Sequence, residues 1–138
     1  MDISDCRLIN LPVIPDDRGN LSFVEECNHI PFRINRTYWL YDVPGGERRA
    51  GYALRDTDDF VIAMSGSFDV FLSDGKDEKT VRLNSSYCGL YIPRGIWHEF
   101  RDFSTNSLAL VLSSRHYDAL QYVRPLEEFV ELKQNGKI

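Results

Sequence analysis

Cysteine is scarce in this sequence of 138 residues. The three cysteines, Cys6, Cys27 and Cys88, are odd in number and widely spaced, and no Cys-x-x-Cys pair occurs. This usage argues against a disulfide framework and against a zinc site, and a reducing cytoplasm is the simplest location.

Long apolar runs and an excess of basic residues are also missing. No stretch approaches the roughly 20 apolar residues that span a bilayer, and the acidic amino terminus does not resemble a secretion signal. The net charge is -5 and the pI about 5.1, so we expect neither nucleic acid nor membrane as a partner. The composition, 43% hydrophobic and 27% charged, predicts one globular domain over residues 1–138.

Short runs of β-branched and aromatic residues, separated by turn signals, fill most of the chain. Such runs predict many short strands in a sandwich or barrel and argue against alternating strands and helices. The last two runs look like an antiparallel pair, and the run from Phe60 to Met64 is apolar throughout, which suits a strand buried on both faces. The predicted strands cover residues 21–25, 36–42, 60–64, 68–72, 80–83, 87–92, 98–102 and 108–113.

Only the carboxyl-terminal tail has the spacing of a helix. Leu126, Phe129, Val130 and Lys133 recur at helical intervals, and Pro125 suits the first turn. The sequence therefore predicts an all-β domain that ends in a short helix.

Several ordered segments are similar to those of one known family. They are Asp17-Arg18-Gly19-Asn20-Leu21, the run from Ile30 to Trp39, Ser65-Gly66-Ser67, the run from Gly89 to Phe103, Tyr117-Asp118 and Tyr122-Val123-Arg124. In order and spacing, they resemble the dTDP-4-keto-6-deoxyglucose 3,4-ketoisomerases, cupin-fold enzymes that prepare sugars for surface polysaccharides such as lipopolysaccharide. The resemblance covers about four-fifths of the chain.

The resemblance implies a cupin-type jelly-roll barrel that forms a homodimer. It also implies a dTDP-linked keto-deoxyhexose as the substrate and a reaction without a cofactor. Metal-dependent cupins present a His-x-His pair, and this chain has none at the corresponding positions. We therefore expect no metal.

One segment departs from the family's pattern. The family carries Arg-Gly-x-His-Ala-His followed by a basic residue, and its two histidines are the leading candidates for proton transfer. Here Tyr52 and Leu54 occupy the histidine positions, and Asp59 occupies the position of a glutamine on the following strand. Leucine transfers no proton, and tyrosine is a poor base at its ordinary pKa near 10.

Candidate site residues follow from this comparison. Tyr52, His98, Tyr38 and Asp59 are the catalytic candidates, because a 3,4-ketoisomerase needs a base at C3 and a proton donor at C4. Substrate binding is assigned to four further residues: Arg18, Arg36, Arg49 and Glu99. Ordinary structural roles stay open for His98 and Tyr38 in the barrel wall. Asp59 is a general acid or base only if it points inward, where burial raises its pKa.

The altered segment leaves several functions open. Isomerisation survives with a rearranged set of residues, or the protein binds a dTDP-sugar without turnover as a partner or regulator. A different reaction on a related nucleotide sugar is a third possibility. The barrel could also serve a sugar-responsive or structural module, because a fold does not fix a function.

Overall fold

Twelve strands and one α-helix make up the fold in the computed structural model, which describes residues 1–138. Two 3₁₀ turns, at Ile3–Asp5 and Ala119–Gln121, add to them. The strands and the helix are β1 (Arg7–Asn10), β2 (Val13–Ile14), β3 (Leu21–Ser22), β4 (Arg36–Tyr41), β5 (Arg49–Leu54), β6 (Asp59–Ser65), β7 (Phe68–Ser73), β8 (Glu78–Leu83), β9 (Cys88–Ile92), β10 (Trp97–Arg101), β11 (Leu108–Ser113), β12 (Tyr122–Val123) and α1 (Leu126–Gln134).

Two five-stranded antiparallel sheets face each other. The first has the order β1-β9-β6-β11-β4, and the second has the order β12-β5-β10-β7-β8. A small hairpin of β2 and β3 stands apart from both. From β4 to β12, successive strands alternate between the two sheets except at the β7–β8 hairpin, which is a jelly-roll arrangement. The prediction of an all-β jelly roll with a carboxyl-terminal helix is confirmed.

The pairing expected for the last two long strands is wrong. β10 pairs with β5 and β7 in the second sheet, whereas β11 pairs with β4 and β6 in the first. The connection between them crosses the sandwich and buries Phe103 on the way. Alternation along a strand predicts which side chains share a face, but it does not identify the neighbouring strand.

One apolar cluster lies between the two sheets. Val61 and Val111 of the first sheet meet Val70, Leu72 and Phe100 of the second. The outer face of the first sheet carries a separate cluster, which the amino-terminal segment covers with Ile30 and Phe32 among others. β6 is thus buried on both sides, as its apolar sequence predicts.

Helix α1 covers the outer face of the second sheet. Phe129 is fully buried and packs with Ala53, Trp97 and Val123. The helix has nine residues, and no helix of the protein is long and apolar enough to cross a membrane.

Candidate active site

A row of polar side chains crosses three strands of the first sheet on its inner face. Ser113 on β11 lies between Asp59 on β6 and Arg36 on β4 in the strand register. Asp59 and Ser113 are almost completely buried. The inward orientation of Asp59, which the sequence left open, is therefore the one observed.

The facing sheet supplies an imidazole and a phenol. His98 on β10 is paired with Tyr52 on β5, and their rings meet edge to face with centroids 5.0 Å apart. The register between these strands shifts at the next pair, where Ala50 and Gly51 both have positive φ angles. Such a bulge commonly re-aims a neighbouring side chain, and here Tyr52 lies beside it.

His98 and Asp59 face each other between the sheets. His98 Nε2 lies 4.0 Å from Asp59 Oδ2, and neither atom has a hydrogen-bond partner. The other ends of both groups are held: His98 Nδ1 donates to the carbonyl oxygen of Ile96 at 3.2 Å, and Asp59 Oδ1 accepts from the Ser113 hydroxyl at 2.5 Å. Because a carbonyl can only accept, the hydrogen of the neutral ring lies on Nδ1 and Nε2 carries a lone pair.

Burial shifts the titration of both groups. It raises the pKa of Asp59 to about 7 and lowers the pKa of His98 to about 4, because burial disfavours the charged form of each group. The Ser113 hydrogen bond and the Arg36 charge partly oppose the rise for Asp59. Near neutral pH the site thus holds a neutral imidazole and a carboxyl group close to half protonation.

Tyrosine side chains lie beside this pair. The hydroxyls of Tyr38 and Tyr52 are 3.4 Å apart, and Tyr52 also packs edge to face on Tyr122 with centroids 4.7 Å apart. Burial raises the pKa of Tyr52 to about 12 and raises the pKa of Tyr38 well above its ordinary value. Both phenols therefore keep their protons at neutral pH and can donate hydrogen bonds.

Two guanidinium groups lie among these rings. Arg36 lies over Tyr38 and Tyr117, and it donates to the Tyr122 hydroxyl at 3.3 Å. Its Nε is buried without a partner. Arg124 lies over the rings of Tyr52 and Tyr122.

Sequence reasoning did not select Tyr117, Tyr122 or Arg124 as site residues. A cavity of about 200 Å³ is lined by these three and Ala119. The signal that could have identified them was already present, because all three belong to the carboxyl-terminal segments that carry the family resemblance.

Salt bridges fix the loop that leads into Asp59. Asp58 is buried; its Oδ1 accepts from the backbone N–H of Arg94 at 2.9 Å, and its Oδ2 lies 3.0 Å from Arg94 Nη2. Asp56 bridges Arg94 and Arg115. This network ties together three chain segments at the start of β6 and so helps to fix the backbone that carries Asp59.

The four catalytic candidates come together, but three of the four binding candidates do not join them. Glu99 lies on the opposite face of β10 from His98, where it accepts from Trp97 Nε1 at 2.9 Å and from Arg101 at 3.0 Å. Arg18 is exposed in the turn before β3, where it pairs with Asp16. Arg49 is exposed at the start of β5. Of these four candidates, only Arg36 lies beside the catalytic candidates.

Leu54 is buried and pairs with Tyr122 in the strand register. It lies on the same face of β5 as Tyr52. The chain brings no group of three or more His, Cys, Asp or Glu side chains close enough to hold a metal ion.

Known proteins match nearly the whole chain. Residues 4–134 match the family described as FdtA: WxcM-like, C-terminal. The TDP-4-oxo-6-deoxy-alpha-D-glucose-3,4-oxoisomerase of Aneurinibacillus thermoaerophilus is 37% identical over 123 residues, which cover 89% of this chain and 88% of that protein.

Solved structures of ketoisomerases share the fold. The WlaRB TDP-quinovose 3,4-ketoisomerase of Campylobacter jejuni superposes with a TM-score of 0.89 at 38% identity, covering 94% of this chain and 99% of the other. A histidine-to-asparagine variant of the QdtA 3,4-ketoisomerase of Thermoanaerobacterium thermosaccharolyticum, solved with TDP-4-keto-6-deoxyglucose, gives 0.93 at 29% identity and 96% coverage of both chains. The chain therefore belongs to the FdtA, WxcM-like family, and its relatives include TDP-sugar 3,4-ketoisomerases.

Proposed function

We propose that this chain, as one cupin-like domain, is an isomerase that binds a dTDP-linked 4-keto-6-deoxyhexose and moves its carbonyl group from C4 to C3. One observation carries the proposal: His98 Nε2 and Asp59 Oδ2 are buried, unpaired and 4.0 Å apart in the interior of the sandwich. Buried polar atoms are almost always hydrogen-bonded, so this pair is suited to an oxygen-bearing ligand. The similarity to 3,4-ketoisomerases supports the reaction type.

The reaction needs one base and one acid and no external oxidant or reductant. The base takes the proton from C3, the C–H electron pair forms the C3=C4 double bond, and O4 becomes an enediolate oxygen. The acid then donates a proton to C4 while the O3 hydroxyl proton passes to O4. The product is the 3-keto sugar, with the same atoms and the same oxidation state.

The buried pair can supply both groups. His98 Nε2 offers the lone pair that accepts the C3 proton, and the Asp59 carboxylic acid offers the proton that C4 receives. A proton passed from His98 to Asp59 afterwards restores the starting state. A pKa of about 7 for Asp59 suits this task, because a general acid works best when its pKa is near the operating pH.

Arg36 is suited to the charge that develops on the substrate. Its Nε–H is buried without a partner and belongs to the same inner row as Asp59. A preoriented donor of this kind stabilises an enediolate oxygen. Tyr38 and Tyr52 keep their protons, so we assign them hydrogen bonds to sugar oxygens and no role as bases.

We assign the nucleotide part of the substrate to the cavity that Tyr117, Ala119, Tyr122 and Arg124 line. Arg36 and Arg124 bring two guanidinium groups among the rings of Tyr117 and Tyr122. A guanidinium group can bind two phosphate oxygens through two parallel hydrogen bonds, and tyrosine rings stack on planar bases. Roles of Arg18 and Arg49 in substrate binding stay predictions, whereas the contacts of Glu99 with Trp97 and Arg101 favour a structural role for it.

Binding without turnover is the second candidate function. The ring of Tyr52 contacts both His98 and Tyr122 and so occupies space beside the acid–base pair. Neither Tyr52 nor Leu54 can replace an imidazole at neutral pH. A protein of this kind would hold the same nucleotide sugar as a partner or regulator.

Incubation with dTDP-4-keto-6-deoxyglucose, followed by NMR, separates the two functions. A 3-keto product at a rate proportional to protein concentration supports isomerisation. Saturable binding without product supports the second candidate, and neither binding nor product contradicts both. Asp59→Asn and His98→Gln should each lower the rate by about 10²–10⁴-fold, whereas the control Asp69→Asn, on β7, should leave it unchanged.

We also infer that the chain acts as a homodimer in the cytoplasm. Trp39, Tyr41 and Met64 are 43–63% exposed on the outer side of the first sheet, and the free edge of β4 lies beside them. Exposed apolar side chains grouped in this way commonly mark a contact surface. Light scattering should give a molecular mass of twice the chain mass. Trp39→Glu should lower this mass to that of a monomer, whereas Leu120→Glu should leave it unchanged. A wild-type monomer at micromolar concentration would contradict the dimer.

A further inference from the structure

Ser113 is the one side chain that binds the Asp59 carboxyl group. It is completely buried, and the strand register places it between Asp59 and Arg36 on the inner face of the first sheet. Its hydroxyl has a single hydrogen-bond partner, Asp59 Oδ1 at 2.5 Å. Because a buried hydroxyl without an acceptor is unfavourable, the Ser113 proton is directed at Oδ1.

This hydrogen bond makes the two oxygens of Asp59 different. Oδ1 accepts from Ser113 and is therefore the poorer place for the proton of the carboxylic acid. Oδ2 has no partner and faces His98 Nε2 at 4.0 Å. The titrating oxygen is thus the one that faces the imidazole.

We propose that Ser113 is a positioning residue, which fixes the Asp59 carboxyl group so that Oδ2 exchanges its proton on the side of His98. For its effect on turnover, this inference rests on the proposed function. Ser113 does not touch the reacting atoms in this arrangement, and it acts only through Asp59.

Other charged or titratable groups also face Asp59 and belong to the test. Arg36 and Tyr38 approach from β4, Tyr52 from β5 and His98 from β10, and Asp58 precedes it in the chain. Ser113 is the only one of its neighbours that donates a hydrogen bond to it, and this bond holds the pKa of Asp59 below the value that burial alone would give. Removing the donor should therefore raise the titration midpoint of this carboxyl group.

The titration of Asp59 can be followed directly by ¹³C NMR in protein labelled at the aspartate carboxyl carbons, with Asp59→Asn to assign the signal. Ser113→Ala should raise the midpoint by about one pH unit. Ser113→Thr keeps the hydroxyl and should retain the wild-type midpoint. The control is Ser73→Ala, since Ser73 is also a buried strand serine but accepts from Gly75 N–H in the other sheet.

A midpoint that is unchanged in Ser113→Ala overturns the inference. If that variant does not fold, Ser113→Cys, of nearly equal volume but with a weak donor, decides by the same criterion. In an active enzyme, the acidic group in the pH profile of kcat should move with the NMR midpoint. A wild-type protein without turnover would contradict the proposed function, while the NMR titration would still decide the role of Ser113.

Discussion

His98 Nε2 and Asp59 Oδ2 face each other at 4.0 Å across the interior of the sandwich, and neither atom has a hydrogen-bond partner. The imidazole hydrogen lies on the far side, on Nδ1, where Ile96 accepts it. The Ser113 hydroxyl holds the far oxygen of the carboxyl group. A single proton can therefore be held by either His98 Nε2 or Asp59 Oδ2.

The pair should make almost no contribution to the pH dependence of folding between about pH 4 and pH 6.5. In that range the unfolded chain carries an ionised Asp59 and a protonated His98, whereas the native protein carries the proton on Asp59 and a neutral His98. Both states bind one proton, so the pair gives no slope.

Removing either partner should reveal the pH dependence of stability that the other partner contributes. In His98→Gln, the native state binds one more proton than the unfolded chain, so stability relative to wild type should fall as pH rises from about 4 to about 7. In Asp59→Asn, the unfolded chain binds the extra proton, so relative stability should fall as pH drops from 6.5 to about 4. Urea unfolding at several pH values should show slopes of opposite sign, each up to about 1.4 kcal/mol per pH unit. Parallel slopes in both variants would contradict the proton arrangement.

Restoring imidazoles on β5 should increase turnover. The double variant Tyr52→His and Leu54→His places two histidines where the family resemblance implies them, and it removes the phenol that packs on His98. An added acid–base group is worth about 10²–10⁴-fold in rate. The initial rate of 3-keto product formation should rise accordingly.

Tyr87→His is the control for this restoration. Tyr87 is 51% exposed and precedes β9, away from the site, so the same exchange there should leave the rate unchanged. A double variant that folds and binds the sugar nucleotide but turns over no faster than wild type would show that imidazole is not what limits the reaction.

Glu99 should contribute to the stability of the fold and not to substrate binding. It lies on the outer face of β10 and accepts from Trp97 and Arg101, with Arg48 3.5 Å away. These positively charged partners and the Trp97 hydrogen bond hold its pKa below the ordinary value against the effect of burial. Glu99→Gln should lower the free energy of unfolding by about 1–2 kcal/mol. The affinity for dTDP and the pH profile of kcat should not change, and a large loss of dTDP affinity would restore Glu99 as a binding residue.

Replacing Ala50, which lies in the bulge beside Tyr52, with glycine should increase the thermal stability of the protein. Ala50 has a φ of 66°, a left-handed conformation that is unfavourable for residues with a Cβ by roughly 1–2 kcal/mol. The family resemblance places a glycine at this position. Ala50→Gly should therefore raise the thermal midpoint. Ala53→Gly is the matched control, because Ala53 has an ordinary φ and packs on Trp97, so this exchange should lower the midpoint.

Strand alternation and the helical spacing of the tail were enough to predict much of the fold. The buried strand β6 and helix α1 both follow from local sequence patterns, which depend only on neighbouring residues. β5 was missed because Arg49–Leu54 contains Ala50, Gly51 and Ala53 and no β-branched residue. Its strand conformation comes from pairing with β10 and β12.

By itself, the sequence determined which chemical groups are present: one imidazole in the matching run from Gly89 to Phe103, one carboxyl group in place of a glutamine, and no histidine pair. Only the tertiary structure decided that His98 and Asp59 meet and that Ser113 holds the carboxyl group, whereas strand alternation alone places Glu99 on the face opposite His98. These contacts join residues 39 and 54 positions apart in the chain, and burial of this kind is set by how two sheets pack. A pKa depends on that environment, so the acid and the base could be proposed only from the tertiary structure.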